Sequence, residues 1–188
     1  MKCFRGFTFA RRARRLLLHI TARSNPNGKG RDMADQKGAD LSRRRVVTGL
    51  DALGRSTVLF DGPIPHHDDS AAAVVWRTHG HPADNSGAAD TVAPYDTAML
   101  HNPGSNFVIC QFRPHTPEIM HATNTIDYLV ILSGRVILVL EESEIELGAG
   151  DCVVDRGVLH GWRNPHDEPC VAVVVNLPAY PVGKGRTI

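Results

Sequence analysis

Two stretches decide the fold of this chain: MHATNTIDYLVILSGRV at residues 120–136 and GDCVVDRGVLHGWRN at residues 150–164. Side chains alternate between the two faces of a strand, so an extended first stretch puts four polar groups on one face. These are His121, Thr123, Thr125 and Asp127. In the second stretch, Gly157 permits a tight turn. The chain after that turn can bring His160 opposite His121.

The sequence on either side predicts an all-β fold. Short runs rich in Val and Ile alternate with turns that contain Gly, Pro or acidic residues, and even spacing of short strands indicates a sandwich or barrel. Residues 80–97 are rich in Gly, Ala, Pro, Asp and Asn, which predicts a long loop or lid over a pocket. The predicted strands are 45–50, 56–60, 72–78, 107–112, 128–132, 136–141, 143–147, 152–155 and 171–177.

Charge separates an N-terminal segment from the rest of the chain. Residues 1–31 contain nine Lys or Arg and no acidic residue, whereas residues 33–188 contain 12 basic and 19 acidic residues. An acidic body without a basic stripe argues against a nucleic-acid partner. No stretch approaches the roughly 20 apolar residues of a membrane-spanning helix. We therefore expect a small-molecule substrate or ligand, with no nucleic acid and no membrane as partner.

The basic segment has three possible origins. Its composition is typical of an organelle-targeting peptide. Met33 begins a stretch that reads like a natural protein start, so the second alternative is that residues 1–32 are an upstream over-extension of the reading frame. The third alternative is a basic tail that binds a partner. All three leave residues 1–40 as a disordered or poorly ordered extension. We expect a cytoplasmic protein, or a mitochondrial one if the segment is a transit peptide. The cysteines form no evident disulfide framework and are expected to be buried, reduced thiols.

The two stretches resemble the paired motifs of the cupin superfamily. The first motif is matched by His121, Thr123, Asp127 and Gly134, and the second by Gly150, Gly157, His160 and Asn164. The resemblance implies a double-stranded β-helix, or jelly-roll, barrel over residues 99–180. Residues 41–98 would then supply N-terminal strands and a lid loop, and residues 181–188 a C-terminal tail. It also implies a homodimer, with residues 44–60 as an exchanged or covering segment.

The resemblance also implies a metal site, in an altered form. The usual cupin site has three His and one Glu, but Thr123 replaces one His and Asp127 replaces the Glu. The implied ligands are therefore His121, Asp127 and His160. Two His and one carboxylate form a ligand set used by non-haem Fe(II). Mn(II), Ni(II) and Zn(II) are the other candidate metals, and a metal-free polar pocket stays open as the alternative.

Two functions follow from this resemblance. The first is a metal-assisted enzyme of oxygenase, decarboxylase, isomerase or cyclase type, acting on a small organic molecule of secondary metabolism. In it Asp127 or His160 would be catalytic, and Thr123, Thr125 and Trp162 would line the substrate pocket. The second is a non-catalytic cupin that binds a small molecule with a decayed metal site. Because fold does not fix function, we favour the enzyme only on its retained His and Asp residues.

Overall fold

The computed structural model describes residues 39–66 and 70–188. Their only helical segment is a 3₁₀ helix, Thr97–His101, so the predicted all-β fold is confirmed. No helix among these residues has the length and apolar character needed to cross a bilayer. Residues 1–38 of the predicted disordered extension lie outside the described ranges. Ala39 lies within them, and its N–H donates to Gln111 Oε1 at 2.6 Å. The ten strands are β1 (Arg44–Leu50), β2 (Ser56–Pro63), β3 (Ala72–Arg77), β4 (Asn106–Phe112), β5 (Thr125–Ser133), β6 (Arg135–Leu140), β7 (Glu144–Gly148), β8 (Cys152–Asp155), β9 (His160–Arg163) and β10 (Cys170–Pro178).

Two antiparallel sheets enclose the core of the barrel. One has five strands in the order β3-β4-β10-β5-β8, and the other has three in the order β7-β6-β9. Because β3 is hydrogen-bonded to β4, the five-stranded sheet extends to the N-terminal side of the predicted boundary at residue 99. The buried side chains between the sheets come from both of them: Ile131, Val136, Leu138, Leu147, Cys170 and Ala172.

The segment at residues 39–66 covers the outer face of the larger sheet. Leu41 and Ile64 are 1% and 2% exposed and pack against the outward-facing Ala73, Ile109 and Val171. Strands β1 and β2 form a separate antiparallel pair. The homodimer in which residues 44–60 would be exchanged stays a prediction.

Arg45 of β1 connects this segment to the long loop. Its Nη1 donates to the carbonyl oxygen of Val75 at 3.2 Å and to Asp90 Oδ1 at 2.8 Å, and the side chain is buried. The backbone N–H of Arg77, at the end of β3, donates to Thr91 Oγ1 at 2.9 Å. Residues 78–96 contain no regular element, and Thr97, the last residue of the predicted loop, begins the 3₁₀ helix. The bonds of Arg45 and Arg77 fix this loop to β3.

Two glycines permit turns that other residues would obstruct. Gly134 joins β5 to β6 and Gly157 follows β8, both at a φ of 73°. A Cβ on Gly157 would lie 2.4 Å from the carbonyl oxygen of Thr123, and one on Gly134 would lie 2.4 Å from that of Pro169. The backbone that carries His160 therefore passes directly against the backbone that follows His121.

The cysteines match their predicted burial only in part. Cys170 is fully buried, and burial raises the pKa of the Cys110 thiol to about 12. The prediction for Cys152 is wrong, because that side chain is exposed. Cys152 lies on the edge strand β8, where alternation turns Val153 inward and Cys152 outward. Cys3 lies outside the described residues.

We expect Gly157→Ala to destabilise the protein more than Gly54→Ala. The two glycines have nearly the same φ, 73° and 74°, but a Cβ on Gly54 has nothing within 4 Å. In both variants the free energy of unfolding should fall by about 1–2 kcal/mol, because Ala is strained in the left-handed backbone conformation. In Gly157→Ala it should fall by a further 1–3 kcal/mol, roughly, because the new Cβ overpacks the turn. Urea denaturation of the two variants measures the difference, and equal losses would contradict the close approach.

Candidate active site inside the barrel

His121 and His160 face each other across a backbone bridge. The N–H of His121 donates to the carbonyl oxygen of His160 at 2.7 Å, and the N–H of His160 donates to that of His121 at 2.9 Å. Their rings have centroids 4.4 Å apart with a tilt of 53°. The structure thus brings together the two histidines that the sequence predicted to lie opposite each other.

Hydrogen bonds fix the orientation of both rings. Nδ1 of His121 lies 2.8 Å from the carbonyl oxygen of Ile119, and Nδ1 of His160 lies 2.9 Å from that of Val158. A carbonyl oxygen can only accept, so each Nδ1 carries a hydrogen. In the neutral rings this leaves Nε2 with the free lone pair, an assignment that follows from the acceptors.

A row of polar side chains crosses the inner face of the five-stranded sheet. Its members are directly opposite one another on neighbouring strands: Arg77 on β3, Asn106 on β4, Asn176 on β10, Asp127 on β5 and Asp155 on β8. Residues paired in this way share one face of a sheet. The four members other than Arg77 are buried. We call this set the inner polar row.

Several atoms of the inner polar row lack a hydrogen-bond partner. Among the described residues, only four buried side-chain nitrogen or oxygen atoms are unpaired, and three belong to the row: Arg77 Nε, Asp127 Oδ1 and Asp155 Oδ2. Asp155 Oδ2 does lie 2.9 Å from His160 Nδ1. The same Nδ1 also lies 2.9 Å from the carbonyl oxygen of Val158, so Asp155 and Val158 share one N–H group. Unpaired buried polar atoms are costly, and their concentration in one row is typical of a functional site.

The row changes the protonation behaviour of its members. Burial raises the pKa of Asp127, and the charge of Asp155 raises it further, against opposing effects of Asn176, Thr125 and His160. Burial lowers the pKa of His160, but its contacts with Asp155 and Val158 and the charges of Asp155 and Asp127 outweigh this and raise that pKa overall. Both shifts therefore favour the protonated form of the side chain, in Asp127 mainly through burial and in His160 through its acidic neighbours and Val158.

The remaining predicted site residues surround this centre. Thr123 and Thr125 are buried, and the Oγ1 of Thr125 donates to that of Thr123 at 2.8 Å. Trp162 packs against Phe112 at a centroid distance of 5.2 Å and meets the ring of His160 edge-on at 6.1 Å. The indole is thus part of the barrel core beside the site. A direct role of the three side chains in binding substrate stays a prediction.

The implied metal ligands do not assemble into a complete site. Across residues 39–66 and 70–188, no three His, Cys, Asp or Glu side chains converge as a metal would require. The orientation of the two histidines is compatible with metal binding, since ligating histidines usually hold their second nitrogen in a hydrogen bond. The two rings therefore fit as a donor pair, but Asp127 does not complete the three-ligand set.

A cavity of about 340 Å³ lies at the edge formed by β3. Ala72 and Val74 of β3 line it, and the loop supplies Asp90 and Tyr95. Tyr95 also packs against the inner apolar cluster of the barrel, and its pKa is raised by burial and then by the charges of Cys110 and Asp127. The cavity and the inner polar row therefore share Tyr95 as a neighbour.

Four members of the row were not among the predicted site residues: Arg77, Asn106, Asn176 and Asp155. All four share one signal, since each is a polar residue at or near the end of a largely apolar strand. Their meeting with Asp127 depends on strand order and register, which strand prediction does not supply. The sequence analysis did single out Asn164, but its amide bonds to the carbonyl oxygens of Phe112 and Glu168, a structural role.

Comparison with known proteins agrees with this architecture. The family model described as "Cupin domain" matches residues 108–176. "Phomopsin biosynthesis cluster protein D" of Diaporthe leptostromiformis is 34% identical over 155 residues, which cover 73% of this chain and 79% of that protein. "Cupin-domain-containing oxidoreductase virC" of Hypocrea virens is 27% identical over 128 residues, 64% of this chain and 66% of that protein.

Among solved structures, a Cupin 2 conserved barrel domain protein from Salinispora arenicola is 25% identical, with a TM-score of 0.37 over 40% of this chain and 64% of that chain. The family assignment rests on the sequence relatives and on the matched family model. The antiparallel barrel and the paired motif histidines agree with it. This chain belongs to the cupin family.

Proposed function

We propose that this protein is an enzyme of secondary metabolism that transfers protons to and from a small organic molecule inside the barrel. The observation that carries the proposal is the buried Asp127, whose Oδ1 has no partner among the described residues and which lies in the same row as Asp155. Further support comes from relatives named for biosynthesis clusters. The reaction type would be that of an isomerase, cyclase or decarboxylase.

The two carboxyl groups support this chemistry through their mutual repulsion. Two carboxylates directly opposite each other resist ionising together, so one of them tends to hold a proton. Asp127 is that residue, since burial raises its pKa, while Asp155 lies against the nitrogen of His160. A carboxyl group whose pKa is raised above its usual value holds a proton more readily and is better suited to general acid–base chemistry. Asp127 would exchange a proton at Oδ1, and His160 would exchange one at Nε2.

A cavity near the site has room for a small molecule, and none of its lining residues belongs to the inner polar row. The cavity beside β3 has about 340 Å³, at the lower end of the range of roughly 300–1,000 Å³ for ligand pockets. Its walls are mainly apolar and include a few polar side chains such as His66, Asp90 and Tyr95. The loop at residues 78–96 would limit access of water to a substrate bound there.

A metal-assisted oxidoreductase is the second candidate. Hydrogen bonds hold the Nδ1 atoms of His121 and His160, so the Nε2 atom of each ring is free to bind a metal. The centroids of the two rings are 4.4 Å apart. Several relatives also carry the name cupin-domain-containing oxidoreductase. The cofactor would be a divalent transition metal, Fe(II), Mn(II), Ni(II) or Zn(II).

We expect Asp127→Asn to abolish turnover while Asp61→Asn retains it. Asn cannot exchange the proton, whereas Asp61 is an exposed partner of Arg44 far along the chain from the site. Each purified protein would be incubated with a metabolite extract from cells that lack this chain, and consumed and formed compounds identified by mass spectrometry. If Asp127→Asn consumes the same compound as the wild type, the proton-transfer proposal fails. If the wild type binds a compound without converting it, the non-catalytic alternative replaces the enzyme.

The same variant should be more stable than the wild type at neutral pH. Folding raises the Asp127 pKa, so the stability linked to its proton is present at low pH and lost as the pH rises through that raised value. Asn does not ionise and avoids this loss. The Tm gain of Asp127→Asn should shrink as the pH falls. Asp61→Asn should show no gain, because the hydrogen bond from Arg44 lowers the Asp61 pKa.

Metal loading decides between the two candidates. Under the second candidate, the wild type exposed separately to Fe(II), Mn(II), Ni(II) and Zn(II) retains one of them, and a His121→Ala, His160→Ala double variant does not, because both nitrogen donors are gone. Elemental analysis after gel filtration measures the metal content, with His79→Ala as a control from the loop. Equal metal contents in the wild type and the double variant would remove the metal-assisted candidate.

A further inference from the structure

A β-bulge turns Arg77 toward the interior of the barrel. Val74 pairs with Val108, but the next pairs are Trp76 with Phe107 and Arg77 with Asn106, so Val75 is an extra residue in β3. Without it, alternation from the inward-facing Val74 would put Trp76 inside and Arg77 outside. Bulges often redirect a side chain near a functional site.

The surrounding structure holds this bulge in place. Arg45 donates to the carbonyl oxygen of Val75, the extra residue itself, and is also paired with Asp90 of the loop. The backbone N–H of Arg77 is bonded to Thr91 of the same loop. The inward orientation of Arg77 is therefore supported from β1 and from the loop.

No protein carboxylate among the described residues is paired with Arg77. Its Nε is buried and unpaired, which is unfavourable for a group that is always charged. The acidic side chains of the adjoining loop bond to other groups: Asp84 to the N–H of Ser86, Asp90 to Arg45 and Asp96 to the N–H of Ala98. The guanidinium therefore remains available to an anion from outside the chain.

The inner polar row has a cation at one end and an acid–base pair at the other. Arg77 is three strands from Asp127, roughly 14 Å between Cα atoms at the usual strand spacing, and the long Arg side chain shortens the distance between the functional groups. The amides of Asn106 and Asn176 lie between them. A molecule with an acidic group at one end and a reactive carbon or oxygen at the other fits this arrangement.

We propose that Arg77 binds the carboxylate of the substrate, so that the substrates of this protein are small organic acids. The planar guanidinium matches a carboxylate through two parallel hydrogen bonds. A doubly charged phosphate is disfavoured, because Asp127 and Asp155 occupy the same row. This inference rests on the proposed function for the location of the site, but the binding that it describes requires no turnover.

The test compares acids with their amides at equilibrium. Benzoate, trans-cinnamate and octanoate, each beside its primary amide, would be titrated against the full chain by calorimetry. We expect at least one acid to bind about tenfold or more tightly than its amide, since a charge-assisted pair is lost in the amide. Arg77→Gln should remove that preference, and Arg77→Lys should restore only part of it. Arg135→Gln should keep it, because Arg135 is an exposed partner of Glu146.

Three outcomes would overturn the inference. These are no binding of any acid to the wild type, equal binding of acid and amide, and tighter binding of phenyl phosphate than of the acids. The wild-type comparison involves no variant, so a misfolded Arg77→Gln cannot obscure it. An Arg77-dependent acid preference together with turnover by Asp127→Asn would refute the proposed function alone. Loss of turnover in Asp127→Asn without any acid preference would refute this inference alone.

Discussion

The antiparallel register of β4, β10, β5 and β8 is the constraint on which the site depends. Strand β10 lies between β4 and β5 and pairs with both along nearly its whole length. Its backbone hydrogen bonds set Asn176 opposite Asn106 on one side and opposite Asp127 on the other. Asp127 in turn meets Asp155 of β8. A slip of one residue in any of these pairs would turn the polar side chains outward and apolar ones inward.

The same register places an energetic cost inside the barrel. Below the inner polar row the interior is filled by apolar side chains such as Val74, Val108, Leu129 and Val174. The row replaces that packing with charged and amide groups, some of which find no partner in the described chain. Structural polar groups are normally satisfied, as Asn164 is by two carbonyl oxygens. Asn164 is thus a polar residue that stabilises the fold, whereas the unpaired atoms of the row are available to a ligand.

The segment at residues 39–66 contributes to the site indirectly. Leu41 and Ile64 attach it to the outer face of the barrel, and the buried Arg45 joins it to both Val75 and Asp90. A guanidinium with both a carbonyl and a carboxylate as partners is well satisfied, unlike that of Arg77. β1, the β3 bulge and the loop thus form one hydrogen-bonded unit beside the cavity, which explains how a loop without regular structure keeps Tyr95 against the core.

Local signals in the sequence determined much of this protein. Strand positions followed from runs of Val and Ile, and the turns from Gly134 and Gly157. These features depend on residues close together in the chain. The opposition of His121 and His160 followed from the tight turn at Gly157 together with the resemblance of the two motifs. The inner polar row was decided only by the tertiary structure, since Arg77, Asn106, Asp127, Asp155 and Asn176 meet through pairing between distant strands. One extra residue in β3 turns Arg77 from the outer to the inner face of the sheet. The alternation of residues along β3 cannot reveal this bulge, because its position is set by pairing with β4.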